Sequence, residues 1–147
     1  MIKTITHKSK DITNVWDYLK HNITPDFYVT ENRERLFITD FINFKKLLNQ
    51  SSFILINKEI DVDGVLMIWQ GVYNDIKRNY IKISAKNVNI ARKLLTGLLW
   101  SFNCDLYVKI KKDSDFLIIF REKNFNFLAG RGNELLLYKR KIKRETK

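Results

Sequence analysis

The chain has 147 residues, 45% hydrophobic and 29% charged, one domain's worth of globular protein with enough apolar content to bury a core unaided by disulfides. A single cysteine, Cys104, with only His7 and His21 beside it, excludes an internal disulfide and leaves too few ligands for a metal site of the zinc type. A formal net charge of +11 suits an acidic partner, whether nucleic acid, an acidic protein or an anionic cofactor, without naming which.

In chain order, "KTITHK" alternates like a short strand, and "DITNVWDYLKHN" follows as a helix with Asp11 as its cap and Val15, Trp16 and Leu19 on one face. Pro25 interrupts, "TPDFYVTENRERLFIT" reads as a connection, and Asp40 opens a second helix, "FINFKKLLNQ", with Phe41, Phe44, Leu47 and Leu48 spaced for burial. "SSFILINKEI" and "GVLMIWQGVY" form an antiparallel hairpin around the turn signal "DVDG". "NYIKISA" is a third strand, with Tyr80, Lys82 and Ser84 alternating against Ile81 and Ile83.

From Val88 the period becomes helical, with Ile90, Leu94, Leu95, Leu98 and Leu99 recurring on one side. "DLYVKIKK" is again a strand, "SDFLIIFREK" a short helix capped by Ser114 or Asp115, and "FNFLAGRGNELLLYKRK" two strands bent at Gly130, Gly132 and Asn133. The order β, α, α, β, β, β, α, β, α, β, β defines an α+β (mixed α/β) layout with four helices. It occupies one domain, residues 1–140, with a basic tail at 141–147. Trp16, Trp69 and Trp100 read as packing residues, and strand periodicity puts Phe125 and Phe127 in the core.

No apolar run approaches the roughly 20 residues that span a bilayer, and "MIKTITHKSK" lacks the apolar centre of a signal peptide. The expected setting is therefore cytoplasmic, with no membrane partner.

Between Ser84 and Leu95, "SAKNVNIARKLL" carries a strand into an amphipathic helix, a place where backbone N–H groups are free to meet a phosphate. Lys86, Asn89 and Ala91 stand where a cofactor motif of the form Gln or Arg, two residues, Gly, one residue, Gly or Ala would have its marked positions. Further on, "FREKNF", Phe120 to Phe125, is similar to a helix ending of the form Tyr, three residues, Gly, Phe. These words and the element order resemble the GCN5-related N-acetyltransferase (GNAT) family over nearly the whole chain, most strongly from Tyr80 to Tyr138.

The resemblance implies a central, twisted, mostly antiparallel sheet, acetyl-CoA as cofactor and an amine on a protein or small molecule as acceptor. It places the pantetheine arm along Ile81 and Ile83, and the pyrophosphate at the turn of Lys86, Asn87, Val88, Asn89, Ile90 and Ala91, with Arg92 or Lys93 adding charge. Asn89 in the place of a glycine is among the residues that tolerate a left-handed backbone. Asn124 stands at the helix-ending glycine, a position that wants positive φ. Phe120 would lie beside the cofactor at the position of the family's general-acid tyrosine, and a phenyl ring has no proton to give.

The family often takes a proton from the amine with a carboxylate near its fourth strand. Here that strand offers Lys82 and Ser84, and Glu31, Glu34, Glu59 and Glu134 are the remaining candidates, with no basis for choosing among them. Two readings follow: an acetyl-CoA-dependent N-acetyltransferase, or a catalytically inactive module of the same fold, viral or accessory, that binds an acidic partner. Arg121, Lys123, Arg131 and the tail, interleaved with Phe125, Phe127 and Tyr138, would form a nucleic-acid patch under either. Cys104, at a helix-to-strand junction, reads as a small packing residue rather than a nucleophile.

Overall fold

The computed structural model describes residues 1–22, 28–31, 34–38, 40–73 and 76–141, the side chains of 29–31, 36, 37, 72 and 73 apart. The elements are β1 (Ile2–Ile5), α1 (Ile12–His21), β2 (Tyr28–Glu31), β3 (Glu34–Phe37), α2 (Phe41–Gln50), β4 (Ser51–Lys58), β5 (Val62–Tyr73) and β6 (Ile76–Ala85). They continue with α3 (Val88–Ser101), β7 (Leu106–Lys111), α4 (Leu117–Glu122), β8 (Asn126–Arg131) and β9 (Glu134–Lys139). The expected order holds with one correction. The stretch read as a connection contains the antiparallel hairpin β2–β3, running from Tyr28 opposite Phe37 to Glu31 opposite Glu34. Its charged centre, "ENRER", hides the alternation of so short a pair.

Seven strands form one sheet in the order β1-β4-β5-β6-β7-β9-β8. All neighbours are antiparallel except β6 and β7, which run parallel and pair only at Asn79 with Leu106, Tyr80 with Tyr107 and Ile81 with Val108. Period-2 alternation then sorts the side chains into two cores. Leu66 and Ile68 of β5, Ile81 and Ile83 of β6, and Val108 and Ile110 of β7 pack under α3 and α4 with Leu94, Leu95, Leu98, Ile119 and Phe120. Val65 and Met67 of β5, with Ile54 and Ile56 of β4, face α1 and α2 through Val15, Leu19, Phe44 and Leu47.

Local chemistry explains most boundaries. The Asp40 carboxylate accepts from Asn43 N–H at 2.8 Å and starts α2, and the Asn87 amide oxygen accepts from Ile90 N–H at 2.9 Å and starts α3. Helix α4 ends in a Schellman motif. Phe125 N–H donates to the Phe120 carbonyl at 3.0 Å and Asn124 N–H to that of Arg121 at 3.1 Å, Asn124 has φ of 67°, and the Phe120 and Phe125 rings meet edge to face at 5.1 Å. The start of α4 differs from expectation: it is preceded by Phe116, whose N–H donates to Ser114 Oγ at 3.2 Å, so the serine closes the turn before the helix rather than its first turn.

Three further expectations are corrected. Asp11 stands at the start of α1 but makes no side-chain cap; its carboxylate is taken by Lys3 of β1 at 2.5 Å and Lys58 of β4 at 2.9 Å. Trp100 is 85% exposed, because its place near the end of α3 points away from the sheet, whereas Trp16 does pack, at 5.2 Å from Phe44. Phe127 is 66% exposed, because β8 is the outer edge strand and carries a bulge between Phe127 and Ala129, while Phe125 is buried as expected. The basic tail from 142 onward lies outside the described residues.

Two measurements check this packing. The paired lysines hold the Asp11 carboxyl down to about 2 from its ordinary 3.8. A depressed carboxylate stabilises the fold above the ordinary value and loses that contribution as pH falls toward 2. Asp11→Asn is therefore expected to melt below the parent at neutral pH, with the gap closing as the pH is lowered from about 4 to 2. On β5, a Cβ at Gly64 would stand 2.7 Å from Ile90 Cγ2 and 2.9 Å from Leu94 Cδ1. Gly64→Ala is expected to lift the first turns of α3 and cost about 1–3 kcal/mol in urea unfolding.

Candidate functional site

The site follows from the parallel junction. Beyond Ile81 and Val108 the two strands no longer pair, although β6 continues to Ala85 and β7 to Lys111. The sheet therefore opens into a wedge whose one wall is the free side of β6. Only Lys86 and Asn87 separate the end of β6 from Val88, where α3 begins, so the helix N-terminus stands at the end of that wall. Lys86 N–H donates to the Asp63 carbonyl at 2.9 Å and fixes the turn between them.

The expected cofactor residues fall along this path. Ile81 and Ile83 are buried beneath α3, so only their backbone borders the wedge. Lys86 and Asn87 are exposed at the turn, Val88 is half-buried, and Ile90 and Ala91 are buried with their side chains turned into the core. Asn89 is exposed within α3, and Asn124 is the one non-glycine residue of positive φ among those described, so no left-handed backbone is required at 89. Phe120 is fully buried against Phe125 and has no accessible surface to offer a ligand.

At the helix N-terminus the donors can be counted. Asn87 serves Ile90 N–H through its side chain and Ala91 N–H through its carbonyl, at 2.9 and 3.1 Å. The amides of Val88 and Asn89 are the first-turn donors left to face outward. Lys86 and Lys93 are exposed beside them. Arg92 is turned elsewhere: Nε and Nη2 donate to Glu122 at 3.0 and 3.3 Å and Nη1 to Asn89 Oδ1 at 3.0 Å. This grip also holds the Glu122 carboxyl below its usual range. The residues present thus suit an anionic phosphate group, through two amides and two lysines.

On the other face of the sheet, the hairpin β2–β3 lies over the wedge. Arg35 of β3 donates to both carboxylate oxygens of Glu134 on β9, at 3.3 and 3.2 Å, and Tyr28 of β2 covers Lys82, whose Nζ is 3.8 Å from the ring centroid. A cavity of about 10 Å³, the size of one water, is lined by Tyr28, Trp69, Tyr80, Ile81, Lys82 and Lys109. Four aromatic rings cross the junction at matching register: Trp69 to Tyr80 at 5.4 Å, Tyr80 to Tyr107 at 5.7 Å and Tyr107 to Tyr138 at 4.9 Å. Each ring is tilted against the next, by 42°, 44° and 35° in turn.

The base candidates scatter. Glu59 sits at the β4–β5 turn, held below its usual range by the N-terminal ammonium. Glu34 is exposed, Glu134 is engaged by Arg35, and the side chain of Glu31 lies outside the described residues. Sequence reading missed Tyr18, whose hydroxyl lies 3.2 Å from Ser84 Oγ and whose pKa is raised by burial. It also missed that buried Lys82 of β6 and half-buried Lys109 of β7 line one cavity. Each stands between apolar neighbours in its strand, which was the available signal. Cys104 is half-buried, accepts from Asn79 Nδ2 at 3.5 Å and has its pKa raised by burial, the setting of an inert thiol. Of the proposed nucleic-acid patch, Phe125 is in the core and unavailable for stacking.

No protein-family model matches the chain, and no curated protein sequence does. Solved structures do match. They include yncA of Salmonella typhimurium, described as a putative acetyltransferase with its cofactor acetyl-CoA, at 12% identity and a TM-score of 0.64 over 99% of this chain and 96% of that one. The ribosomal-protein-S18-alanine N-acetyltransferase of Escherichia coli matches at 12% identity and 0.63, covering 99% and 97%. The N-acetyltransferase PseH of Campylobacter jejuni, in complex with acetyl coenzyme A, matches at 15% and 0.58, covering 95% and 99%. The likeness covers nearly the whole length of each chain, and this chain has the fold of the GCN5-related N-acetyltransferases.

Proposed function

We propose that the chain is an acetyl-CoA-dependent N-acetyltransferase. The observation that carries this reading is the coincidence of the opened β6–β7 junction with an outward-facing helix N-terminus at the end of β6. The fold neighbours bound to acetyl-CoA support it. Acetyl-CoA would supply an acetyl group activated as a thioester, with coenzyme A as the leaving thiol. Val88 and Asn89 amides, with Lys86 and Lys93, would hold its pyrophosphate, and the unpaired edge of β6 past Ile81 would hold its pantetheine arm by backbone hydrogen bonds.

The acceptor amine would enter from the face bearing Tyr28, Trp69 and Tyr80, where the cavity opens onto β6. Attack on a thioester by a neutral amine demands mainly positioning and stabilisation of developing negative charge, and Lys82 and Lys109 at this mouth provide cations for it. Phe120 gives no proton, and the phenols at the mouth are those of Tyr28 and Tyr80.

Isothermal titration with acetyl-CoA and with free coenzyme A tests the cofactor site. Val88 is the first residue of α3, where proline is well tolerated. Val88→Pro therefore removes one phosphate donor without unwinding the helix and is expected to weaken binding about tenfold at unchanged melting temperature. Asn89→Glu, which sets a carboxylate against the pyrophosphate, is expected to abolish it. Absence of binding to the parent protein at millimolar ligand would overturn the proposal.

A further inference from the structure

We propose that the far end of α3 is a docking surface for single-stranded nucleic acid, with Trp100 as the ring on which a base stacks. The inference is independent of the cofactor reading. Trp100 is 85% exposed, and an indole, with its large apolar face and single N–H donor, is seldom left so open to water. Beside it a hollow of about 330 Å³ is lined from the ends of α3, α4 and β9 and the start of β7, within the roughly 300–1,000 Å³ of small-ligand sites. Leu99, Phe102 and Leu106 give it an apolar lining, and Lys123, Lys139 and Arg140 give it cations. A second hollow of about 160 Å³, bordered by Trp100, shares Leu99 and Lys123 with the first. The indole and the cations therefore belong to one continuous surface.

The charge of this surface is one-sided. Among the described residues, the carboxylate that lines the larger hollow is Glu122, and Arg92 already holds it through Nε at 3.0 Å and Nη2 at 3.3 Å. Asp105, just before β7, accepts from the Lys141 N–H at 2.7 Å and does not line the hollow. The next residues in the chain, 142–147, hold Lys143, Arg144 and Lys147 against Glu145, so their net charge has the same sign. An apolar slot bordered by cations, with an open indole alongside, matches an unpaired base and its flanking phosphates. A duplex keeps its bases stacked inside and has none to lay on Trp100, and an acidic peptide answers the cations but leaves the indole without a planar partner. Trp100 lies twelve residues beyond Val88, about 18 Å along α3, so strand and cofactor bind apart.

The test uses the full chain and fluorescein-labelled oligothymidylate and oligouridylate of about 12 nucleotides, with a matched duplex, thymidine monophosphate and polyphosphate as comparisons. Fluorescence anisotropy is expected to show either single strand bound at least about tenfold more tightly than duplex or polyphosphate at equal phosphate concentration. The logarithm of affinity should fall against that of salt with a slope of about −2, the share of three cations. Trp100→Ala is expected to weaken binding about tenfold, Trp100→Tyr to keep it within about threefold, and Lys123→Gln to lower the slope by about 0.7. Because Trp100 lies outside the core, its exchange should leave the melting temperature unchanged. Saturating acetyl-CoA and Val88→Pro should each leave strand affinity within about twofold of the parent's. Absence of binding to both strands at low salt, equal binding of duplex or polyphosphate, affinity indifferent to Trp100→Ala, or displacement of the strand by acetyl-CoA would each overturn the inference. Thymidine monophosphate bound as tightly as the strand would overturn it in favour of a free-nucleotide site.

Discussion

Three residue pairs hold the two parts of the sheet together: Asn79 with Leu106, Tyr80 with Tyr107, and Ile81 with Val108. Everything else in the architecture accommodates that short parallel ladder. It is long enough to align β6 with β7 and short enough to leave the far half of β6 with a free side. Because a parallel connection needs a crossover, α3 must pass over the sheet between the two strands, which delivers its N-terminus to the open end. The wedge and the anion-receptive helix end are thus two results of one topological choice.

So short a ladder needs reinforcement, and each face supplies some. Beneath α3, residues from both sides of the junction share one core, Leu66, Ile68, Ile81 and Ile83 meeting Val108, Ile110, Leu135 and Leu137. On the opposite face the rings of Trp69, Tyr80, Tyr107 and Tyr138 bridge β5, β6, β7 and β9 at adjacent register positions. Cross-strand aromatic pairs of this kind contribute up to roughly 1 kcal/mol each. The junction is therefore braced where it is paired, and the two strands part past Ile81 and Val108.

What could be read from the sequence was whatever short-range chemistry decides. Asp40 and the α2 start, the helical period from Val88, and Asn124 at a left-handed helix end each follow from a few neighbouring residues. The hairpin β2–β3 was not legible, because its described anchors, Arg35 to Glu134 and Tyr28 to Lys82, join residues far apart in the chain. Asp11 illustrates the same limit: a good capping residue was claimed by Lys3 and Lys58, two cations that only the sheet brings together. Trp100 and Phe127 fit an apolar pattern, but what covers a residue is settled by the neighbouring element, and among the described residues both stay largely exposed. The cofactor turn was legible as a strand-to-helix boundary, whereas the cavity lined by Lys82 and Lys109 depends on β6 and β7 meeting at the junction.

Strand β8 ends the sheet with a row of backbone groups open to solvent, and every one of its residues is exposed. An open row of this kind is a template on which another chain could lengthen the sheet. The register shift between Phe127 and Ala129 breaks the row in the middle, and Arg131 closes it with a charge. A second copy laid alongside would lose alignment at Leu128 after two residues, so growth of the sheet from molecule to molecule stalls at its first step.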